Sequence, residues 1–133
     1  SDAGAHLDRM CGGSYPTQFL ADCLRGRKLM SLERAVFELS AKPARLFGLR
    51  DRGVVAAGAF ADLVVFDPAS VGAAPAHLVH DLPGGSARVT ADAIGVRHVF
   101  VNGTETIRDG KILGAKPGTI LRSGRDTTTV TAH

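Results

Sequence analysis

The side chains able to do chemistry fall in three places. Near the start, SDAGAH sets the Asp2 carboxylate among Ala and Gly with His6 four residues on, and Arg9 follows in the loop HLDRMCGGSY. A carboxylate there could carry a proton, although read from these residues alone Asp2 is better explained as an Asx-turn residue. Further on, His77 and His80 stand three apart with Asp81 beside them. That spacing could hold a metal on a helix turn, but the surrounding Pro, Ala and Gly argue for a solvated loop. Cys11 and Cys23 are too far apart for a CxxC redox pair, and two cysteines do not make a disulfide framework. Free thiols, buried or half-buried, are the expectation, and a reducing cytoplasm fits them. No GxGxxG or GxxxxGK[ST] occurs, so the Asn-Gly and Asp-Gly pairs are hairpin turns and not a phosphate loop.

The elements that would position these groups change character near Leu49–Gly53. Before that seam the pattern is helical. Pro16 suits a first helical turn, Phe19, Leu20, Cys23 and Leu24 share one face, and Gly26 with RGRK closes the helix. SLERAVFELS is the clearest helix: Ser31 is an N-cap, and Leu32, Ala35, Val36 and Leu39 form the buried stripe. A third, short helix runs from Pro43 to Phe47 and ends at Gly48. After the seam, Val54-Val55 reads as a short strand and ADLVVFD as a strand buried on both faces. Residues 68–95 read as loop. VRHVFVNGTETIRDGKIL is a hairpin turning at Asn102-Gly103, with a second turn at Asp109-Gly110 and His98 as an ordinary strand residue. The polar end, residues 123–133 with His133, reads as a disordered tail.

At 133 residues with a net charge of +3 spread along the chain, one domain or two small pieces is the expectation. No concentrated basic face marks a nucleic-acid binder. The apolar run GVVAAGAFA stops at Asp62, well short of a membrane span. The fold class is α+β.

Several of these stretches resemble one superfamily. GLRDRGVVAAGAFADLVVFD followed by VRHVFVNGTETIRDGK looks like the C-terminal end of the metal-dependent amidohydrolases. More narrowly, SDAGAH, YPTQFL, SLERAVFELSAKPARLFGLRDRG and GAKPGTILR are similar in order and spacing to the N-acyl-D-amino-acid deacylases, or D-aminoacylases. The resemblance covers nearly the whole chain, is weakest in residues 68–95 and ends near Arg125. It implies an α+β fragment of a larger enzyme. Residues 1–50 would be the end of a (β/α)8 barrel, its last strand end and helices, and residues 51–122 most of a small β-sandwich module.

The resemblance also implies zinc, an N-acyl amino acid as the small-molecule substrate, and amide hydrolysis. It puts Asp2 at the C-terminal end of the eighth barrel strand, the face where such barrels keep their chemistry. There Asp2 would touch the metal, take the proton of the attacking water and give it to the leaving nitrogen. His6 and Arg9 are candidates for substrate contact, Arg9 for the substrate carboxylate. The family's remaining metal ligands would precede Ser1, and a catalytic zinc normally takes three protein ligands. The 133 residues alone are therefore expected neither to hold zinc tightly nor to hydrolyse amides. Other amidohydrolases, such as a cyclic amidase or a deaminase, share the β module, and a free-standing interaction module is the reading from another class. Exposed apolar surface would show as self-association or as pairing with the missing N-terminal part.

Overall fold

The computed structural model describes residues 11–131. Three short helices come first: α1 (Tyr15–Ala21), α2 (Leu32–Leu39) and α3 (Ala41–Leu46). Pro16 sits in the first turn of α1, and the helix continues into a wider π turn over Asp22–Gly26. Ser31 caps α2 as its spacing predicts, its Oγ accepting from the Arg34 amide at 3.3 Å. Glu38 on the same helix accepts from Arg34 Nε at 2.8 Å and from Lys42 Nζ at 2.6 Å. These are exposed i, i+4 pairs that support the helix by a few tenths of a kcal/mol each.

Eight short strands follow, β1 (Leu63–Phe66), β2 (Gly72–Ala73), β3 (His77–Val79), β4 (Arg88–Thr90), β5 (Ala93–Ile94), β6 (Val96–Val101), β7 (Thr104–Arg108) and β8 (Lys111–Ile112). All their pairings are antiparallel. One sheet has the order β1-β6-β7-β8, and two small ladders pair β2 with β5 and β3 with β4. Both predicted hairpin turns form. Asn102 and Gly103 have φ of 48° and 79°, and Asp109 and Gly110 have 44° and 77°. Positive φ at both central residues is the turn whose twist matches the flanking strands.

The buried core is small and lies where the helices meet the end of β1. Leu20, Cys23, Ala35 and Val71 form it, with Phe19, Leu24, Leu39 and Phe66 packed around. Arg25 locks the helical side to this corner, donating to the Pro68 carbonyl at 2.6 Å and to the carbonyl of Val71. Asp67 shapes the corner itself, accepting from the Ala69 amide at 2.9 Å and the Ser70 hydroxyl at 2.7 Å.

The structure corrects five expectations. Val54 and Val55 are not a strand: they lie in an irregular segment, with Val55 88% exposed and no strand among the described residues pairing with it. β1 is not buried on both faces, since Val64 and Val65 are 56% and 47% exposed. It is an edge strand of its sheet. In the α2 stripe, Ala35 is buried but Val36 is exposed, because the helix faces a groove rather than a filled core. Residues 68–95 are not all loop, since β2 to β5 fold there as two nested ladders. Finally, the segment from 123 onward is not disordered as far as it is described: Thr127 bridges Leu49, and the Arg50 amide donates to the Asp126 carbonyl at 3.0 Å. Backbone groups freed by the bend after α3 find their partners in this segment.

Candidate functional site

Asp2, His6 and Arg9 lie outside the described residues, as does His133. The other candidates are placed. His77 lies in β3 rather than on a helix turn, exposed. His80 Nδ1 is 3.2 Å from the Gly85 carbonyl oxygen, and Asp81 is engaged by Arg88 through two hydrogen bonds of 2.8 and 2.7 Å. The Arg88 guanidinium holds the Asp81 carboxyl below its usual range. The His77–His80–Asp81 cluster is thus divided among a strand, a turn and an ion pair, and is no metal site. Cys23 is a free thiol, 1% exposed in the core, and Cys11 is a half-buried free thiol. Among the described residues no three His, Cys, Asp or Glu side chains come together where a metal could be held. Residues 11–131 therefore do not by themselves fit a zinc ion, which takes at least three protein ligands.

What the structure does build is a polar clasp that sequence reading did not single out. Arg52, in the turn after α3, reaches both the first strand and the Asn-Gly hairpin. Its guanidinium donates to Asp62 Oδ2 and, at 2.9 Å, to Asn102 Oδ1. Asp62 Oδ1 in turn accepts from the Asn102 amide at 2.8 Å, and the Gly103 amide donates to the Ala61 carbonyl at 2.9 Å. The Arg52 guanidinium carbon lies over the Phe60 ring, 4.1 Å from its centroid. Burial pushes the Asp62 carboxyl up, but the Asn102 amide and the Arg52 guanidinium outweigh it and hold the group below its usual range. The clasp joins Arg52-Gly53, Ala61-Asp62 and Val101-Asn102-Gly103 in one contact. A planar fork of donors is needed to bridge a carboxylate and a side-chain amide at once. The signal was present in the sequence as three short stretches, but only the fold shows that they are one contact.

Gly53, next to Arg52, has φ of +83°, and a Cβ there would sit 2.5 Å from the Ala44 Cβ. The turn thus passes against α3 where only glycine fits. On the other side of the seam, an apolar groove of about 920 Å³ separates α1 and α2 from the sheet. Val64, Val99 and Ile107, neighbours across β1, β6 and β7, line its strand wall, and Leu20, Leu32 and Val36 line its helical wall. The lining is mainly apolar, with Thr17, Glu33, Ser40 and Asp62 as its polar members.

Comparison with known proteins decides the family. Residues 1–113 match the amidohydrolase family. The chain belongs to that family. It is 41% identical over 118 residues to the N-acyl-D-glutamate deacylase of Alcaligenes xylosoxydans xylosoxydans, a match covering 89% of this chain and 22% of the relative. A crystal structure of D-aminoacylase superposes with a TM-score of 0.60 at 35% identity, covering 75% of this chain and 19% of that one. The N-acyl-D-glutamate deacylase of Bordetella bronchiseptica, solved with zinc and a phosphonate mimic of the tetrahedral intermediate, superposes with a TM-score of 0.51 at 38% identity, covering 74% of this chain and 20% of that one. The chain spans about a fifth of the length of the relatives it matches.

Proposed function

We propose that this chain is the C-terminal portion of a zinc-dependent deacylase that hydrolyses the amide bond of N-acyl-D-amino acids. The observation that carries the reading is the 41% identity to an N-acyl-D-glutamate deacylase across 89% of the chain. In this reading residues 1–50 close a (β/α)8 barrel and residues 51–122 are most of a small β-sandwich beside it. The segment between the end of α3 at Leu46 and Arg52, where the clasp begins, supports the division. Zinc enters as a property of the whole enzyme, with its remaining donors outside residues 11–131.

Asp2 is assigned the proton work. Its carboxylate takes a proton from the attacking water and returns it to the leaving nitrogen, which would otherwise depart as an unstable amide anion. His6 and Arg9 are assigned to substrate contact, Arg9 toward the substrate carboxylate. The described residues serve as a scaffold: the clasp and the core corner hold the helices to the strands.

The test is an assay of the full open reading frame containing this chain. It should release free amino acid from N-acetyl-D-glutamate and related N-acyl-D-amino acids and leave hydantoins and dihydropyrimidines intact. Asp2→Asn should lower kcat by about 10²–10⁴-fold, the usual worth of a general acid–base group, with little change in KM. Turnover of a cyclic amide in place of the N-acyl amino acids would replace the deacylase reading with that of a cyclic amidase. An Asp2→Asn enzyme of full activity would remove the catalytic assignment.

A further inference from the structure

The segment beyond β8 is almost wholly solvent-exposed, yet it is tied down at both ends. Between residues 113 and 131 Pro117, Asp126 and Thr127 are half-buried and the rest are exposed, Leu121 least at 40% among its large apolar residues. Those residues are also its attachment points. The Asn102 side-chain amide donates to the Pro117 carbonyl at 2.7 Å. At the far end the Arg50 amide donates to the Asp126 carbonyl, Thr127 bridges Leu49, and the Thr128 amide donates to the Gly48 carbonyl at 2.8 Å. Gly48 is needed for this approach: its φ is +61°, and a Cβ would sit 2.1 Å from the Thr128 carbonyl oxygen.

Between the two anchors the backbone is stiffened by its own turn. The Arg122 amide donates to Asp126 Oδ2 at 2.7 Å and the Asp126 amide to the Arg122 carbonyl at 2.9 Å. Arg125 adds a bond to the Ile120 carbonyl at 3.1 Å. Beneath the segment lies a cavity of about 380 Å³, walled by Leu39, Ala44 and Asn102 on one side and by Gly118, Thr119 and Leu121 on the other.

We propose that residues 117–128 form a strap that opens and closes as one unit across the seam between α3 and the β6–β7 turn. Its closed state shields the Arg52–Asp62–Asn102 clasp. Segments held by a few backbone hydrogen bonds with little apolar burial open at far lower free energy than a packed core. A stiff turn between two anchors makes the loss of one anchor felt at the other. The strap is thus the weakest cooperative unit that spans the helical and strand halves.

Amide exchange followed by NMR on the full 133-residue chain tests this. Asn102→Asp keeps an acceptor for Arg52 and tolerates the positive φ of the turn, but removes the donor to Pro117. It should speed exchange of the Arg50 and Thr128 amides about tenfold or more, although Asn102 touches neither. The Leu113 amide, bonded to Thr106, serves as an internal reference and should be unchanged. Asp126→Ala, which unmakes the turn at the other end, should in return speed exchange of the Asn102 side-chain amide. Coupling within one unit is reciprocal, so a response in neither direction, or in only one, overturns the proposal and leaves two independent attachments. Should Asn102→Asp also speed Leu113, the hairpin itself has loosened, and the Asp126→Ala arm, which leaves the hairpin sequence intact, decides.

Discussion

Arg52 joins three parts of the chain through one side chain, and that concentrates risk. Its side chain is 11% exposed, so Arg52→Ala leaves Asp62 Oδ2 and Asn102 Oδ1 without their Arg52 donor in a partly covered site, while Asp62 Oδ1 keeps the Asn102 amide. Hydrogen bonds to charged groups of this kind contribute about 2 kcal/mol. A urea titration should show that loss as a lower midpoint with an unchanged slope. Arg52→Lys should recover only part of it, since an ammonium cannot bridge two acceptors in one plane. A second residue-scale effect follows from Glu105. The Arg108 guanidinium first, and His98 Nδ1 at 2.7 Å second, depress its carboxyl to about 2 from an ordinary 4.5. A depressed carboxylate stabilises the fold above its unfolded pKa and loses that contribution as pH falls through the folded value. The Tm should therefore drop between about pH 4.5 and pH 2, and Glu105→Gln should flatten that slope. An unchanged slope in the variant would mean that Glu105 is not the group responsible.

At the scale of elements, the glycines of the seam separate two costs that usually come together. Gly53 and Gly58 have nearly the same φ, +83° and +87°, but a Cβ on Gly58 would meet nothing within 4 Å. Gly58→Ala should cost only the left-handed backbone strain, about 1 kcal/mol. Gly53→Ala adds the collision with Ala44, and should cost at least about twice as much by equilibrium denaturation. Equal effects would mean that α3 shifts freely to make room. The same elements show what a sequence can and cannot display. The Ser31 cap, the Pro16 start and the two Xaa-Gly hairpins were legible because each rests on a local preference that acts within a few residues. β2 to β5 were not, because strands of two and three residues between Pro, Ala and Gly are too short to show a period. Val54-Val55 misled for the converse reason: β-branched residues favour a strand only where a partner strand and a covering layer exist. The strap was hidden because its contacts are made by backbone groups, which carry no side-chain signature. The clasp was half visible, as three motifs whose union depends on a crossing that no spacing encodes. Asp2, His6 and Arg9 were readable only through family likeness, and lie outside the residues described.

For the whole molecule the governing fact is how little of its apolar surface is covered. The described core has few fully buried side chains, while Val64, Val65, Leu46, Phe47, Leu78 and Ile112 are exposed. Scattered apolar residues are ordinary on a surface, but a contiguous patch is not. Val64 continues through Val99 and Ile107 to Ile112 along one row of cross-strand neighbours, and the first three of these line the groove of about 920 Å³. A sheet face open to a groove of that size should bind a solvatochromic dye such as 8-anilinonaphthalene-1-sulfonate while the helices and hairpins remain intact. Such binding commonly signals a molten state, so the control matters: sharp, dispersed methyl resonances must accompany it. Val64→Thr and Ile107→Thr narrow the apolar row without altering β-propensity much. Each should reduce dye fluorescence in a native chain, and the pair should reduce it further. Strong fluorescence that both substitutions leave untouched would place the dye elsewhere. The groove would then be closed in solution, with the helices packed down on the sheet more tightly than in this structure.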